Sequence, residues 1–157
     1  MKVVVNTTPL ISLACVGRID LLKHLFGGII LTDAVYREIK AKPSYAYVEV
    51  DQPWIELRSI QGQIYKQFLL GQLDAGEAET IILAQEIQAD FVVIDENRGY
   101  RLAQQVGLPV VRTLSLLLRA KEKGFIAQIK PILEEMVIRG RWYSPAVCKA
   151  MLTQAGE

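Results

Sequence analysis

LDAGEAETIILAQEIQADFVVIDENRGYRLAQQVGLPVV, Leu73 to Val111, decides the fold. From Ala75 to Gln88 the apolar side chains fall at Ala78, Ile81, Ile82, Ala84 and Ile87, the spacing of one helical face. Asp74 stands where an N-cap accepts a backbone N–H. Phe91 to Ile94 is then a short unbroken run rich in β-branched residues, as in a strand buried on both faces. Asn97 to Val106 predicts a second helix, stopped by Gly107, and Val110-Val111 a further strand. Helix, strand, helix and strand in succession, without hairpin turns, specify crossover connections and hence parallel strands.

The same pattern extends outward. Val3 to Val5 predicts a first buried strand, Ile29 to Leu31 a second, and Trp54 to Ile60, with in-out alternation, an exposed edge. Pro9 to Cys15 and Asp20 to Phe26 form a helix pair broken at Gly17, and Asp33 to Ala41 a helix that stops before Pro43. Ala41 to Pro53 is irregular and predicts a surface excursion. Thr113 to Lys123 and Ala127 to Ile138 make an apolar-faced pair separated by Gly124. Ser144-Pro145 opens a last helix, serine as cap and proline in the first turn. With no repeat or linker in between, residues 1–157 are expected to form one α/β domain, with the helices of 127–157 packed on it.

Composition narrows the function. At 51% hydrophobic and 22% charged residues the chain is neither disordered nor collagen-like. Eighteen basic and seventeen acidic side chains leave a net charge of +1, so any attraction to nucleic acid must be local. Cys15 and Cys148 belong to no CxxC pair, which disfavours a zinc site or a disulfide framework and suits reduced thiols. The apolar run at Val3 to Val5 is too short for a signal-peptide core or a membrane span, so a cytoplasmic protein without membrane contact is expected. The lone His24 lies on a charged helical stretch and is expected at the surface.

In open parallel sheets ligands bind beyond the carboxyl ends of the strands. Asn6 and Asp95 directly follow strands, as functional groups or as caps of the next helix. Asp74, Glu77 and Glu79 crowd a helix start, where the dipole favours negative charge in any case. Glu38, taken alone, reads as a solvated helix face. Thr7 and Thr8 suit a phosphate or the capping of the next helix, and Thr113 has the same two readings. Arg98, Arg101 and Arg112 offer a local basic rim. No glycine-rich loop follows the first strand, which argues against a nucleotide-binding protein, and a receiver domain would need its acids and lysine arranged differently.

Taken together, VVVNTTPL (Val3–Leu10), LTDAVYREI (Leu31–Ile39), LDAGEAETIILA (Leu73–Ala84), VIDENRGYRLA (Val93–Ala103) and LPVVRTLSLLLRA (Leu108–Ala120) resemble the PIN-like domain family over nearly the whole chain. The subfamily concerned resembles toxin ribonucleases of toxin–antitoxin pairs. The resemblance implies a three-layer α/β/α sandwich around a mainly parallel sheet. It also implies metal-dependent hydrolysis of RNA phosphodiester bonds. Carried over residue by residue, it implies catalytic Asn6, Glu38, Glu77 and Asp95, the last three as ligands of Mg²⁺ or Mn²⁺, hard ions suited to carboxylate oxygen. By their positions next to these acids, Thr7, Thr8, Arg98 and Thr113 are the residues expected beside the substrate. The implied partners are RNA and a small antitoxin. A homodimer or higher homo-oligomer is expected from the apolar helices at Leu114 to Leu118 and Ile132 to Ile138. Asn6 departs from the pattern, which has aspartate there: the amide offers an oxygen without its charge. That difference motivates the alternative of a catalytically weak or inactive PIN-like module that binds RNA or a protein. Asp74 and Glu96 are the acids nearest in sequence to replace the missing charge.

Overall fold

The computed structural model describes residues 1–157. In chain order it comprises β1 (Val3–Val5), α1 (Thr7–Cys15), α2 (Asp20–Phe26), β2 (Ile29–Thr32), α3 (Asp33–Lys40), a 3₁₀ turn (Glu49–Asp51) and β3 (Ile55–Arg58). There follow α4 (Gln63–Leu69), α5 (Ala75–Glu86), β4 (Phe91–Val93), α6 (Asn97–Gln105), β5 (Val110–Val111), α7 (Thr113–Glu122), α8 (Lys130–Ile138) and α9 (Pro145–Gln154). The five strands form one wholly parallel sheet in the order β3-β2-β1-β4-β5.

Strand alternation sorts the core into two layers. Val3, Val5, Ile29, Leu31 and Val93 face one side, where they meet apolar residues of α1, α2, α3, α7 and α8. Val4, Ile30, Val92 and Ile94 face the other, covered by α4, α5 and α6. The result is the expected three-layer α/β/α sandwich. Helix ends follow local chemistry. Ser144 Oγ accepts the Val147 N–H at 3.1 Å with Pro145 in the first turn of α9, and Asp74 caps α5. Gly107 ends α6 at φ +78°, a conformation that costs glycine little.

Differences from expectation lie at the margins. The helix expected from Ala127 begins at Lys130, where Pro131 suits a first turn. α4 is an addition to the expected elements: its apolar residues Ile64, Tyr65, Phe68 and Leu69 do fall on one helical face, but the stretch is only seven residues long and only Leu69 of it is buried. Of the two apolar stretches expected to exceed what the sheet needs, Leu114, Leu116 and Leu117 are core while Ile138 at the end of α8 is 76% exposed, and Ile64 and Phe68 of α4 stand 74% and 77% exposed. No helix is long and apolar enough to cross a membrane.

Candidate metal centre

The strand order reverses between β1 and β4, the position at which open parallel sheets leave a crevice. Asn6 continues the ladder one residue past β1, its N–H bonded to Val93 O at 3.0 Å, so its side chain emerges in that crevice. It is 2% exposed, and Oδ1 has no hydrogen-bond partner, while Nδ2 donates to Glu96 Oε2 at 3.4 Å.

Glu38 arrives on α3. Thr32, ending β2, caps this helix by accepting the Val35 N–H at 3.3 Å, and Glu79 Oε1 accepts the Ala34 N–H at 2.9 Å. Glu38 Oε2 then accepts from Thr7 Oγ1 at 2.8 Å. Glu77 is set by a capping box: its N–H donates to Asp74 Oδ1 at 2.8 Å, and its Oε1 accepts the Asp74 N–H at 3.3 Å. Its second oxygen, Oε2, is buried without a partner.

Two glycines make room. A methyl group added at Gly76 would lie 3.0 Å from Glu38 Oε2, 3.3 Å from Asn6 Oδ1 and 3.5 Å from Asp74 Oδ1, so three oxygens from three elements ring this bare Cα. One added at Gly99 would lie 2.7 Å from Glu77 Oε2. The Glu77 carboxyl is pushed up to about 7, by burial first, then by the charge of Asp74, with Glu96 adding to it.

Asp95 takes another direction. Its carboxylate accepts the Thr113 N–H at 2.8 Å and the Thr113 Oγ1–H at 2.7 Å. Burial raises its pKa, opposed by those two bonds. Adjacent residues of extended chain point to opposite sides. Glu96, not Asp95, therefore turns toward Asn6, where it also accepts from Thr8 Oγ1. The structure thus brings Asn6, Glu38 and Glu77 around one crevice with Asp74 and Glu96, and holds Asp95 at its edge. Only the proximity of Asp74 and Glu96 in sequence hinted at their part.

The residues expected beside substrate are largely engaged within the chain. Thr7 and Thr8 donate to Glu38 and Glu96, and Thr113 is fully buried against Asp95. Arg112 donates to Asp95 O at 2.6 Å and Asn97 Oδ1 at 3.0 Å, with its guanidinium 4.1 Å from the Tyr100 ring centre. Arg98 is exposed and forms no salt bridge.

A family model described as a PIN domain (DUF3368) matches residues 2–157. The chain belongs to the PIN domain family. Neither a curated protein nor a solved structure matches it. PIN domains have a nuclease-type fold and generally depend on divalent metal. The crevice of this PIN domain fits such an ion by its chemistry. No three of its acidic side chains are gathered into a ready cage. A hexahydrate-forming ion such as Mg²⁺, however, keeps several waters and needs only one or two protein carboxylates. The buried lone pairs of Asn6 Oδ1 and Glu77 Oε2, both oxygen and both unpartnered, are hard ligands of the required kind.

Proposed function

We propose that this PIN domain is a Mg²⁺- or Mn²⁺-dependent ribonuclease that hydrolyses RNA phosphodiester bonds, acting as the toxin of a toxin–antitoxin pair. The observation that carries this reading is the pair of buried, unpartnered oxygens, Asn6 Oδ1 and Glu77 Oε2, among further carboxylates at the strand-order reversal. An unpaired buried acceptor costs about 1–3 kcal/mol, and a cation would satisfy both.

Asn6 Oδ1 and Glu77 would hold the ion, with Glu38 and Glu96 placed to orient its waters and Asp95 contributing charge from the edge. Once bound, the ion would acidify the attacking water and offset charge on the phosphate oxygens. The remaining roles belong to the chain. Glu77 surrenders the proton that its raised pKa lets it keep near neutrality. Thr7 fixes one Glu38 oxygen, while Thr8 and the Asn6 amide fix Glu96, so the carboxylates are oriented in advance.

The test is calorimetric titration of Mn²⁺ into wild type and Glu77→Gln, paired with cleavage of a pool of structured and single-stranded RNA. Binding and cleavage should fall together in the variant; a folded wild type indifferent to metal and RNA refutes the reading. A second reading, a weak or inactive module that binds RNA or a protein, is favoured by one observation, the uncharged amide of Asn6. Asn6→Asp should then create metal affinity and cleavage that wild type lacks. We extend the proposal to a homodimer through Ile64 and Phe68, one turn apart on α4. Light scattering should show dimers that Phe68→Glu dissociates, and wild-type monomers at micromolar concentration would exclude them.

A further inference from the structure

Beside the acidic crevice lies a cleft of about 540 Å³, within the range of roughly 300–1,000 Å³ typical of small-ligand sites. Asp95 and Glu96 form its inner edge, and the segment from Arg141 to Ser144, leading into α9, forms a wall. It therefore opens directly from the side chains of the candidate metal centre.

Three groups in this cleft keep a face, a charge or a donor that the chain does not use. Trp142 is 78% exposed, so a large aromatic face is held at the cleft unpacked. Arg141, partly buried, forms no salt bridge, whereas Arg112 of the same cleft is committed to Asp95 O and Asn97 Oδ1. Because Arg112 fixes Asn97 by its carbonyl oxygen, the Asn97 NH₂ is turned outward as a donor with no partner in the chain. Tyr143 beneath stays protonated, its pKa pushed up to about 12 by burial first and then by Asp95. An aromatic face, a free cation and an oriented amide donor are the complements of a base, a phosphate and a base acceptor.

We propose that this cleft seats one unpaired nucleotide of single-stranded RNA next to the scissile phosphate, its base stacked on Trp142, its phosphate on Arg141 and a base acceptor on the Asn97 amide. The inference rests on the ribonuclease reading and adds to it the residues that position the substrate, Trp142, Arg141 and Asn97. Bases in a duplex are already stacked and cannot lie on an indole face, so the seat selects loops and single strands.

The test is equilibrium binding in Mg²⁺ of a hydrolysis-resistant phosphorothioate RNA octamer, single-stranded or paired with its complement. Binding is followed by fluorescence of Trp142 in a Trp54→Phe background and by anisotropy of a labelled octamer for Trp142 variants. The single strand should quench Trp142 and the duplex should not. Trp142→Ala should weaken binding roughly 5- to 140-fold, the equivalent of ~1–3 kcal/mol per stacked base at about 1.4 kcal/mol per tenfold. Trp142→Phe should restore most of it, and Arg141→Gln should flatten the salt dependence. Equal affinity of wild type and Trp142→Ala overturns the proposal and leaves the cleft to a protein segment. Cleavage of ordinary RNA that is unaffected by Trp142→Ala removes the seat while the ribonuclease reading stands. Trp142-dependent binding by a protein that cuts nothing supports the seat and removes the ribonuclease reading.

Discussion

Glu77 is asked to hold a carboxylate in a buried, already negative place. Its folded pKa of about 7 lies above its ordinary value of 4.5, so between these pH values the folded chain binds more protons than the unfolded one. The associated stability is fully present below about pH 4.5 and is lost as pH rises through 7. Thermal unfolding of chelator-treated protein should therefore show melting temperature falling from pH 5 to pH 8. Glu77→Gln should flatten that decline, and Mn²⁺ should restore the wild type at pH 8. A parallel decline in both proteins would show that Glu77 is not responsible. The neighbours Asp95 and Glu96 should separate by readout. Glu96→Gln, at the Asn6 side, should cut Mn²⁺ affinity about 10-fold or more with little change in stability, as loss of a ligand or its support does. Asp95→Ala removes both bonds from Thr113 and leaves its N–H unpartnered, and should instead lower stability, by about 1–3 kcal/mol in chemical denaturation.

Glu79 shows how the elements are tied together behind the site. It is 3% exposed on α5, accepts a backbone N–H of α3 and pairs with Lys66 of α4 at 2.5 Å. Removing one partner of such a buried pair strands the other, at a cost of about 3–5 kcal/mol. Glu79→Ala should accordingly destabilise the fold by that order in urea and also weaken metal binding, because α3 carries Glu38. Intact Mn²⁺ affinity in a destabilised variant would separate the two roles. The contrast between α5 and α4 explains what the sequence discloses. α5 announces itself by its cap, its acids and its apolar side chains, and the strands around it by unbroken β-branched runs. α4 is joined to the body chiefly by Leu69 and by the charge pair of Lys66, and its short apolar period, Ile64, Tyr65, Phe68 and Leu69, spans too few residues to stand out. The site divides in the same way. Asn6 and Glu77 could be singled out because a strand end and a helix start fix their Cα positions, whereas Glu38, in the second half of α3, is placed only by the family resemblance. The choice between Asp95 and Glu96 depends on which way one extended residue turns, and the openings at Gly76 and Gly99 depend on neighbours distant in sequence.

Across the whole molecule, the wall of the cleft leads into α9, which packs on the core through partly buried Cys148, Met151, Leu152 and Ala155 and is tied to its neighbours by one carboxylate. Glu157, just beyond α9, accepts the N–H of Ile129 at 2.8 Å and of Lys130 at 3.0 Å, at the start of α8, and pairs with Lys121 of α7 at 2.9 Å. One carboxylate thus closes a ring of three helices, and α9 begins directly after Trp142 and Tyr143. Those N–H donors and Lys121 hold its pKa down at about 2, below the ordinary 4.5. A depressed carboxylate stabilises the fold above its unfolded pKa, and that contribution is lost as pH falls from about 4.5 through 2. Glu157→Gln should therefore lower the melting temperature at pH 7 and have a much smaller effect near pH 2. Because α9 is what loosens, amide hydrogen exchange at pH 7 should accelerate in residues 144–155 while β1 and β4 keep their protection. If the nucleotide seat is held by this ring, RNA affinity in the same variant should fall with Mn²⁺ affinity unchanged, since no ligand of the crevice lies on α7, α8 or α9. Exchange that accelerates uniformly would instead mean that Glu157 supports the whole fold and not the cleft wall.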